Sequence, residues 1–373
     1  MNLNNKEIPP MRKLHKIHIQ GYRSIRDQQL EFGPLNVFIG GNGVGKSNLI
    51  GVFNFLNQVA KQRLQTYTGK VGGANAVLHF GRKQTKSFSL KIEFRIDTKA
   101  NLYEFVLIPT EEDRFLFEQE STYFWDTVNY QAPYRDETWS GYSESRLVDS
   151  EQTIASCVRS HLAGYQIYHF HDTSPSAAVK QTCNLLDNRF LRVDAGNLAA
   201  FLYRLQEKEA DHFDNIVDTV RQVAPFFGKF RLEPSALNPE TIRLEWEEKG
   251  SDTYFGPAAL SDGTLRFICL ATLLLQPVLP NLILIDEPEL GLHPAAIQLL
   301  ASLLQSAATR SQLIVATQSV TLINQLNPEH VWVVDREEGQ SVFRHLKASD
   351  MSSWLEDYSL GELWEKNILG GRP

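Results

Sequence analysis

The pattern of apolar and polar positions changes character twice along the chain. Residues 14–20 (LHKIHIQ) alternate, which predicts a half-buried edge strand, and GYRSIRDQQLEF predicts a loop and a second strand. Residues 35–40 (LNVFIG) form a short apolar run bounded by glycines, the pattern of a buried strand. From Lys46, the apolar residues Leu49, Ile50, Phe53 and Leu56 fall on one face of a helix. Between about 75 and 125, VLHF, SFSLKIEFRI, LYEFVLI and RFLFEQEST predict an antiparallel meander. Residues 126–160 are polar and weakly patterned, which predicts surface loop. GYQIYHF then predicts a strand ending near Phe170, 197–224 predict helices, and RLEP and TIRLEW predict strands. Residues 260–345 alternate helix and strand: LRFICLATLLL, NLILID, PAAIQLLASLLQSA, SQLIVAT, a helical INQL, then HVWVVD and SVFRHL. Such alternation implies a largely parallel sheet with helices on its faces. No internal repeat is visible, and the absence of sustained heptads excludes a long coiled coil.

Residues 267–285 (FICLATLLLQPVLPNLILI) are long enough to raise a membrane question. Gln276-Pro277 and Pro280-Asn281 interrupt them, so they read as a buried helix, a tight loop and a buried strand. The 373 residues suffice for two domains or one large domain with an insertion, and the 42% hydrophobic content is ordinary for a globular chain. The net charge of −7 argues against a protein that simply coats nucleic acid, but leaves room for a local basic patch. Arg12, Lys13, Lys16, Arg23 and Arg26 form one basic cluster, and Arg82, Lys83 and Lys86 another. Both read first as solvated faces, with phosphate or nucleic-acid contact as the alternative. Tyr123, Phe124 and Trp125 read as core of the inserted region rather than as a base-stacking platform. Cys157, Cys183 and Cys269 lie far apart, which argues against a disulfide framework or zinc site. The opening MNLNNKEIPPMRKLHK lacks the apolar stretch of a secretory signal, so a cytoplasmic location is expected.

Candidate chemistry sharpens the picture. Gly40-Gly41-Asn42-Gly43-Val44-Gly45-Lys46-Ser47 matches G-x-x-x-x-G-K-[ST], with a strand before it and a helix after. The glycines let the loop curl so that its N–H groups face phosphate oxygens, and the helix N-terminus adds positive potential. Lys46 would reach the β- and γ-phosphates, and Ser47 would offer its hydroxyl to Mg²⁺. Gly40, Asn42, Gly43, Val44, Gly45, Lys46, Ser47 and Asn48 are thus the expected nucleotide contacts. Leu282–Glu287 (LILIDE) is an apolar strand ending in two carboxylates. Asp286 is placed to hold the Mg²⁺ shell and Glu287 to take a proton from attacking water. Alone, that pair would only mark a strand leaving the core. Leu260-Ser261-Asp262-Gly263-Thr264 opens a helix and reads as a cap that also suits a phosphate.

GGNGVGKSN, LSDGT, LILIDEPELGLHP and VATQS follow one another in the order found in ABC-type ATPases. With IHIQGYRSIRDQQLEFGPLNVFIGGNGVGKSN, the chain resembles their RecF/SMC branch, including small RecF-like ATPases linked to genome maintenance and phage defence. The resemblance covers 11–95 and 255–345, and SLGELWEKNILGGRP is also similar. It implies an α/β head whose mostly parallel sheet is flanked by helices, with an antiparallel β-meander lobe and a mixed α/β insertion. On this reading, 11–95 and 255–345 form a discontinuous core, 96–254 an inserted arm, β-rich then helical, and 346–373 a tail packing on the core. It further implies a head-to-tail dimer in which Ser261, Asp262 and Gly263 complete the partner's P-loop site, with 289–294 as the D-loop at that interface.

Gln318 stands where this branch commonly has a switch histidine; its amide can orient water but cannot relay a proton. Asp262 replaces a common glycine. Gln84 is at a plausible distance for the Gln-loop, but the end of YQIYHFHD is preferred, with His171 or Asp172 in that role. His169 and His171 share a strand face and read as ordinary strand-end histidines rather than as a metal pair.

The expected function is an ATP-driven switch or clamp that couples nucleotide state to DNA binding or to a separate effector, in DNA repair or antiphage defence. The separation of 214 positions from Ser47 to Ser261 suits an insertion on the scale of RecF-like heads. A nucleotide-gated scaffold with negligible turnover is the alternative: Gln318 favours it and Glu287 opposes it. A transporter's ATPase subunit is expected to lack such an insertion. Only 38 residues follow Asp335, too few for a fused Toprim-like nuclease, so the effector, perhaps a nuclease, is expected to be a separate protein.

Overall fold

The computed structural model describes residues 13–372, so Arg12 and all but the last four residues of the opening read for a secretory signal lie outside the described residues. The chain divides into two compact units. One holds the residues up to Tyr165 with Trp332–His345 and those from Gly370 on; the other holds Gln166–Val331 with Leu346–Leu369. The boundaries drawn from sequence at 96 and 255 fall inside these units.

In the first unit, six antiparallel strands run in the order Ile25–Glu31, Lys13–Tyr22, Phe88–Ile96, Lys99–Pro109, Phe115–Asp126, Tyr134–Trp139. The meander is therefore present, but Lys13–Tyr22 is not an edge. It pairs on one side with Ile25–Glu31 and on the other with Phe88–Ile96. Alternation reports which face of a strand is buried, not how many neighbours it has. VLHF is not a strand either. Ala74–Val77 forms a helical turn, and Leu78 makes a single bridge to Tyr22. The polar stretch after 126 is more ordered than expected: it contributes the strand Tyr134–Trp139 and the helix Thr153–Ala163, which buries Ala155, Val158 and Leu162.

Aromatic packing fills the space between the meander and the helix Lys46–Ala60. Phe55 lies 5.1 Å from Phe88, and Phe88 lies 5.4 Å from Phe105, ring centre to ring centre. Tyr123, Phe124 and Trp125 are only half-buried. Lys91 and Arg135 lie over Tyr123, and Arg95 over Trp125, so two of the three rings support cations instead of closing a core. The strand Leu35–Ile39 is buried along its whole length. The hairpin Val331–Glu337 and Gln340–His345 supplies Trp332, which stacks on Phe38 at 5.6 Å.

The second unit contains three parallel strands, Gln166–Tyr168, Leu282–Asp286 and Gln312–Thr317, with the middle one paired to both others. The helices Asp262–Leu275 and Pro294–Ala308 bury nearly continuous apolar faces. The apolar run from 267 resolves as expected: the helix ends at Leu275 and the strand begins at Leu282. No helix among the described residues is long and apolar enough to cross a membrane. Helices Leu198–Lys208 and Ala210–Val223 and a small antiparallel sheet of Phe227–Arg231, Glu245–Glu248 and Tyr254–Phe255 complete this unit. The fold class is the one expected, α/β with a mixed, mostly parallel sheet and an antiparallel lobe, and no long helix occurs among the described residues.

Candidate functional site

The P-loop lies in the first unit, between the buried strand Leu35–Ile39 and the helix Lys46–Ala60. Gly45 caps that helix in a left-handed conformation, φ 117°. A side chain there would collide with Ser341 Oγ and come within 2.8 Å of Ser24 Oγ, so both backbone and space require glycine. A hydroxyl cluster braces the loop from behind: Ser341 Oγ donates to Ser24 Oγ at 2.6 Å and reaches Val44 O, and Asn48 Nδ2 donates to Ser24 Oγ at 2.6 Å. Lys46 is buried, and its Nζ donates to Gly40 O at 2.6 Å and Gly41 O at 2.9 Å. The lysine is thus folded back on its own loop. Asn42, Gly43 and Ser47 are exposed at the loop's outer side, and Val44 is buried.

The carboxylates lie in the second unit. Asp286 and Glu287 are both half-buried at the C-terminal end of Leu282–Asp286. Glu287 has φ 44°, a left-handed conformation that a non-glycine residue adopts only under constraint. Its N–H donates to Ala316 O at 2.8 Å, which holds the turn to the neighbouring strand. Gln318 Nε2 donates to Glu287 Oε1, so this amide and this carboxylate are in contact. Glu289, which sequence reasoning assigned only to the D-loop region, turns its carboxyl inward. Its Oε1 accepts from Thr317 Oγ1 and, at 3.0 Å, from Gln318 N, while its enclosed Oε2 has no protein partner. Burial pushes this carboxyl above the usual range, the hydrogen bonds from Thr317 and Gln318 oppose that shift, and nearby Glu287 adds to it. The only signal in sequence was a second glutamate two positions after the first.

In the same unit, Ser261 caps the helix Asp262–Leu275 and accepts from Thr264 N at 3.1 Å. Ser261 and Asp262 are exposed, and Gly263 packs so closely on Gly291 O that a side chain would displace it. Lys180 lies 3.5 Å from Asp262 and donates to Thr173 O. Arg266, one turn into the helix, was overlooked in the sequence. It donates to Leu290 O and His171 O, each at 2.8 Å, and to Phe170 O at 3.2 Å, tying LSDGT to the D-loop region and to the end of Gln166–Tyr168. The two Gln-loop candidates part company: the His171 ring Nε2 meets Asp286 O at 2.7 Å, whereas Asp172 is exposed and accepts from Ser174 N.

Gln84 is exposed and shares a surface cleft of the first unit with Arg26, His79 and Lys86, joining members of the two basic clusters. Lys16 is paired with Glu31 at 3.1 Å, and Arg23 lies over the Tyr22 ring. Among the described residues, no group of three or more His, Cys, Asp or Glu is placed to hold a metal ion, and His169 and His171 have no third ligand of that kind. The Ser47 hydroxyl in the first unit and the Asp286 carboxylate in the second are each, taken separately, hard oxygen donors of the type Mg²⁺ prefers.

The family model AAA_21, described as "AAA domain, putative AbiEii toxin, Type IV TA system", matches residues 35–324. Among solved structures, a SmcHead bound to the C-winged helix domain of ScpA is similar with a TM-score of 0.61 and 16% identity, covering 91% of this chain and 99% of that one. A Smc head domain with an extended coiled coil, bound to the C-terminal domain of ScpA derived from Pyrococcus furiosus, gives a TM-score of 0.57 at 16% identity and covers 93% and 99%. At that identity the likeness is one of fold. No curated protein matches the chain.

Proposed function

Because this chain belongs to the AAA_21 family of AAA domains, we propose that it is an ATPase whose pairing around MgATP switches DNA binding or a separate effector protein. The contact of Gln318 with Glu287 carries the reading. A carboxylate at the end of a buried parallel strand, oriented by a side-chain amide, is equipped to take a proton from water. In this reading the P-loop N–H groups and Lys46 bind the phosphates, and Ser47 and Asp286 hold Mg²⁺, which would offset the negative charge on the β- and γ-phosphates. Glu287 is the base, and Gln318 positions it and the water. Lys46, whose ammonium has three protons, keeps the Gly40 carbonyl and turns the others from Gly41 O to the charged oxygens of the nucleotide. His171, through its contact with Asp286 O, is the better Gln-loop equivalent. Ser261, Asp262 and Gly263 act on the partner's nucleotide, and the partition into a core of 11–95 and 255–345 with an arm of 96–254 goes with that assignment. The family description, with its putative AbiEii toxin and Type IV TA system, supports a role in a toxin–antitoxin defence system; a separate effector is the partner that goes with that role.

The test is Glu287→Gln, with mass in solution measured with and without MgATP beside turnover by the parent. Loss of turnover with a stable ATP-dependent dimer is expected. A variant that binds ATP but does not change its assembly would remove the shared-site mechanism and leave LSDGT as a helix cap. A parent that binds ATP without turnover would favour the nucleotide-gated scaffold.

A further inference from the structure

Gly41 N–H, in the P-loop, donates to Gly371 O at 2.9 Å. That N–H belongs to the same planar peptide as the carbonyl of Gly40. The Gly40 carbonyl in turn accepts from Lys46 Nζ at 2.6 Å. One rigid peptide is therefore held at its N–H by Gly371 and holds the lysine ammonium at its oxygen. Hydrogen bonds in such a series polarise one another, so fixing one end strengthens the other.

Gly371 is itself fixed. Its N–H donates to Asp335 Oδ2 at 2.9 Å, and Arg344 Nη2 reaches the same oxygen at 3.1 Å. Gly370 and Gly371 have φ of 77° and 69°, both left-handed. A Cβ on Gly371 would come within 2.7 Å of Val333 Cγ1, and one on Gly370 within 2.9 Å of Asp335 Oδ2. Backbone conformation and space thus demand two consecutive glycines, and the N–H of the second is anchored on a half-buried aspartate. All these groups lie in the first unit, with the P-loop.

We propose that Gly370 and Gly371, anchored by Asp335, are positioning residues for Lys46: they fix the Gly40–Gly41 peptide so that the ammonium is presented to the phosphates of a nucleoside triphosphate. The proposal rests on the reading of the P-loop as an MgATP site. It assigns the glycine pair a role in nucleotide affinity, apart from any part it plays in closing the fold.

The experiment uses the full chain and measures the Kd for MgATP by calorimetry, with amide exchange at Gly41 as a second readout. Asp335→Ala removes the anchor, and Gly371→Val forces the segment away. Asp335→Asn keeps a side-chain oxygen that can accept from Gly371 N–H. Losing one hydrogen bond of this chain corresponds to about ten-fold in affinity. Asp335→Ala is expected to weaken MgATP by about that factor and to speed exchange at Gly41, while Asp335→Asn stays close to the parent in both. If Gly371→Val misfolds, the Ala and Asn pair still decides the matter. Parent-like affinity in Asp335→Ala, or unchanged exchange at Gly41, overturns the proposal while leaving the ATPase reading intact. If the parent itself binds no MgATP, both fall together.

Discussion

Replacing Glu289 with Ala removes one acceptor that serves two donors. Thr317 Oγ1 and Gln318 N both bond to Glu289 Oε1. A buried donor left without a partner costs about 1–3 kcal/mol. Thr317 is fully buried and bears the full cost, while Gln318 is half-buried, so water recovers part of its share. Taking away a carboxyl whose proton affinity is already raised by burial returns a little more. The net loss should be about 2–4 kcal/mol, a large fraction of the ~5–15 kcal/mol that holds a typical domain together. Glu289→Gln keeps the acceptor oxygen and should lose less than half as much. Urea unfolding measures this, with the slope required to stay constant so that the midpoint shift reports stability alone. Turnover gives a second reading. Because Gln318 loses its backbone anchor, kcat should fall in the Ala variant while MgATP affinity, set by Lys46 and Ser47, holds. A stability loss under about 0.5 kcal/mol, or Ala and Gln variants that behave alike, would refute the reasoning.

Two other outcomes are expected. Ser261→Ala removes the cap of Asp262–Leu275 and should cost about 1 kcal/mol of stability. If Ser261 also serves a partner's nucleotide, light scattering should show loss of ATP-dependent pairing in a variant that remains folded. Glu120 is fully buried, bonded to Tyr103 Oη at 2.6 Å, Ser145 Oγ and Arg146 N, and burial raises its carboxyl above the ordinary 4.5. The folded chain therefore holds this proton more tightly than the unfolded one. Its contribution is complete below pH 4.5 and is lost as pH rises through the raised value, so thermal melts of Glu120→Gln should show a flatter pH dependence over that interval.

What could be read in sequence was whatever a short window contains. The strand, glycine loop and helix around Lys46 were legible because turn chemistry, apolar spacing and lysine sit within about fifteen residues. The carboxylate strand was legible for the same reason. The neighbours of Lys13–Tyr22 were not, because a period of two fixes a face and leaves the pairing open. The helix Thr153–Ala163 was missed because its buried face is only Ala155, Val158 and Leu162 among polar residues. Its end is tied down by Asn57, whose Nδ2 donates to Leu162 O at 3.1 Å across more than a hundred residues. Glu289 and Arg266 escaped for a related reason: their partners are backbone groups and a hydroxyl, brought close only by the fold.

The left-handed backbone at Glu287 has a consequence for how this chain tolerates change. The local conformation, φ 44°, suits glycine or asparagine better than glutamate. A library sorted only for resistance to heat should therefore enrich Glu287→Gly or Glu287→Asn, the substitutions that silence the proposed base. Selection for robustness and selection for turnover pull this one position in opposite directions, and a lineage that kept the fold but dropped the chemistry would be expected to show it here first.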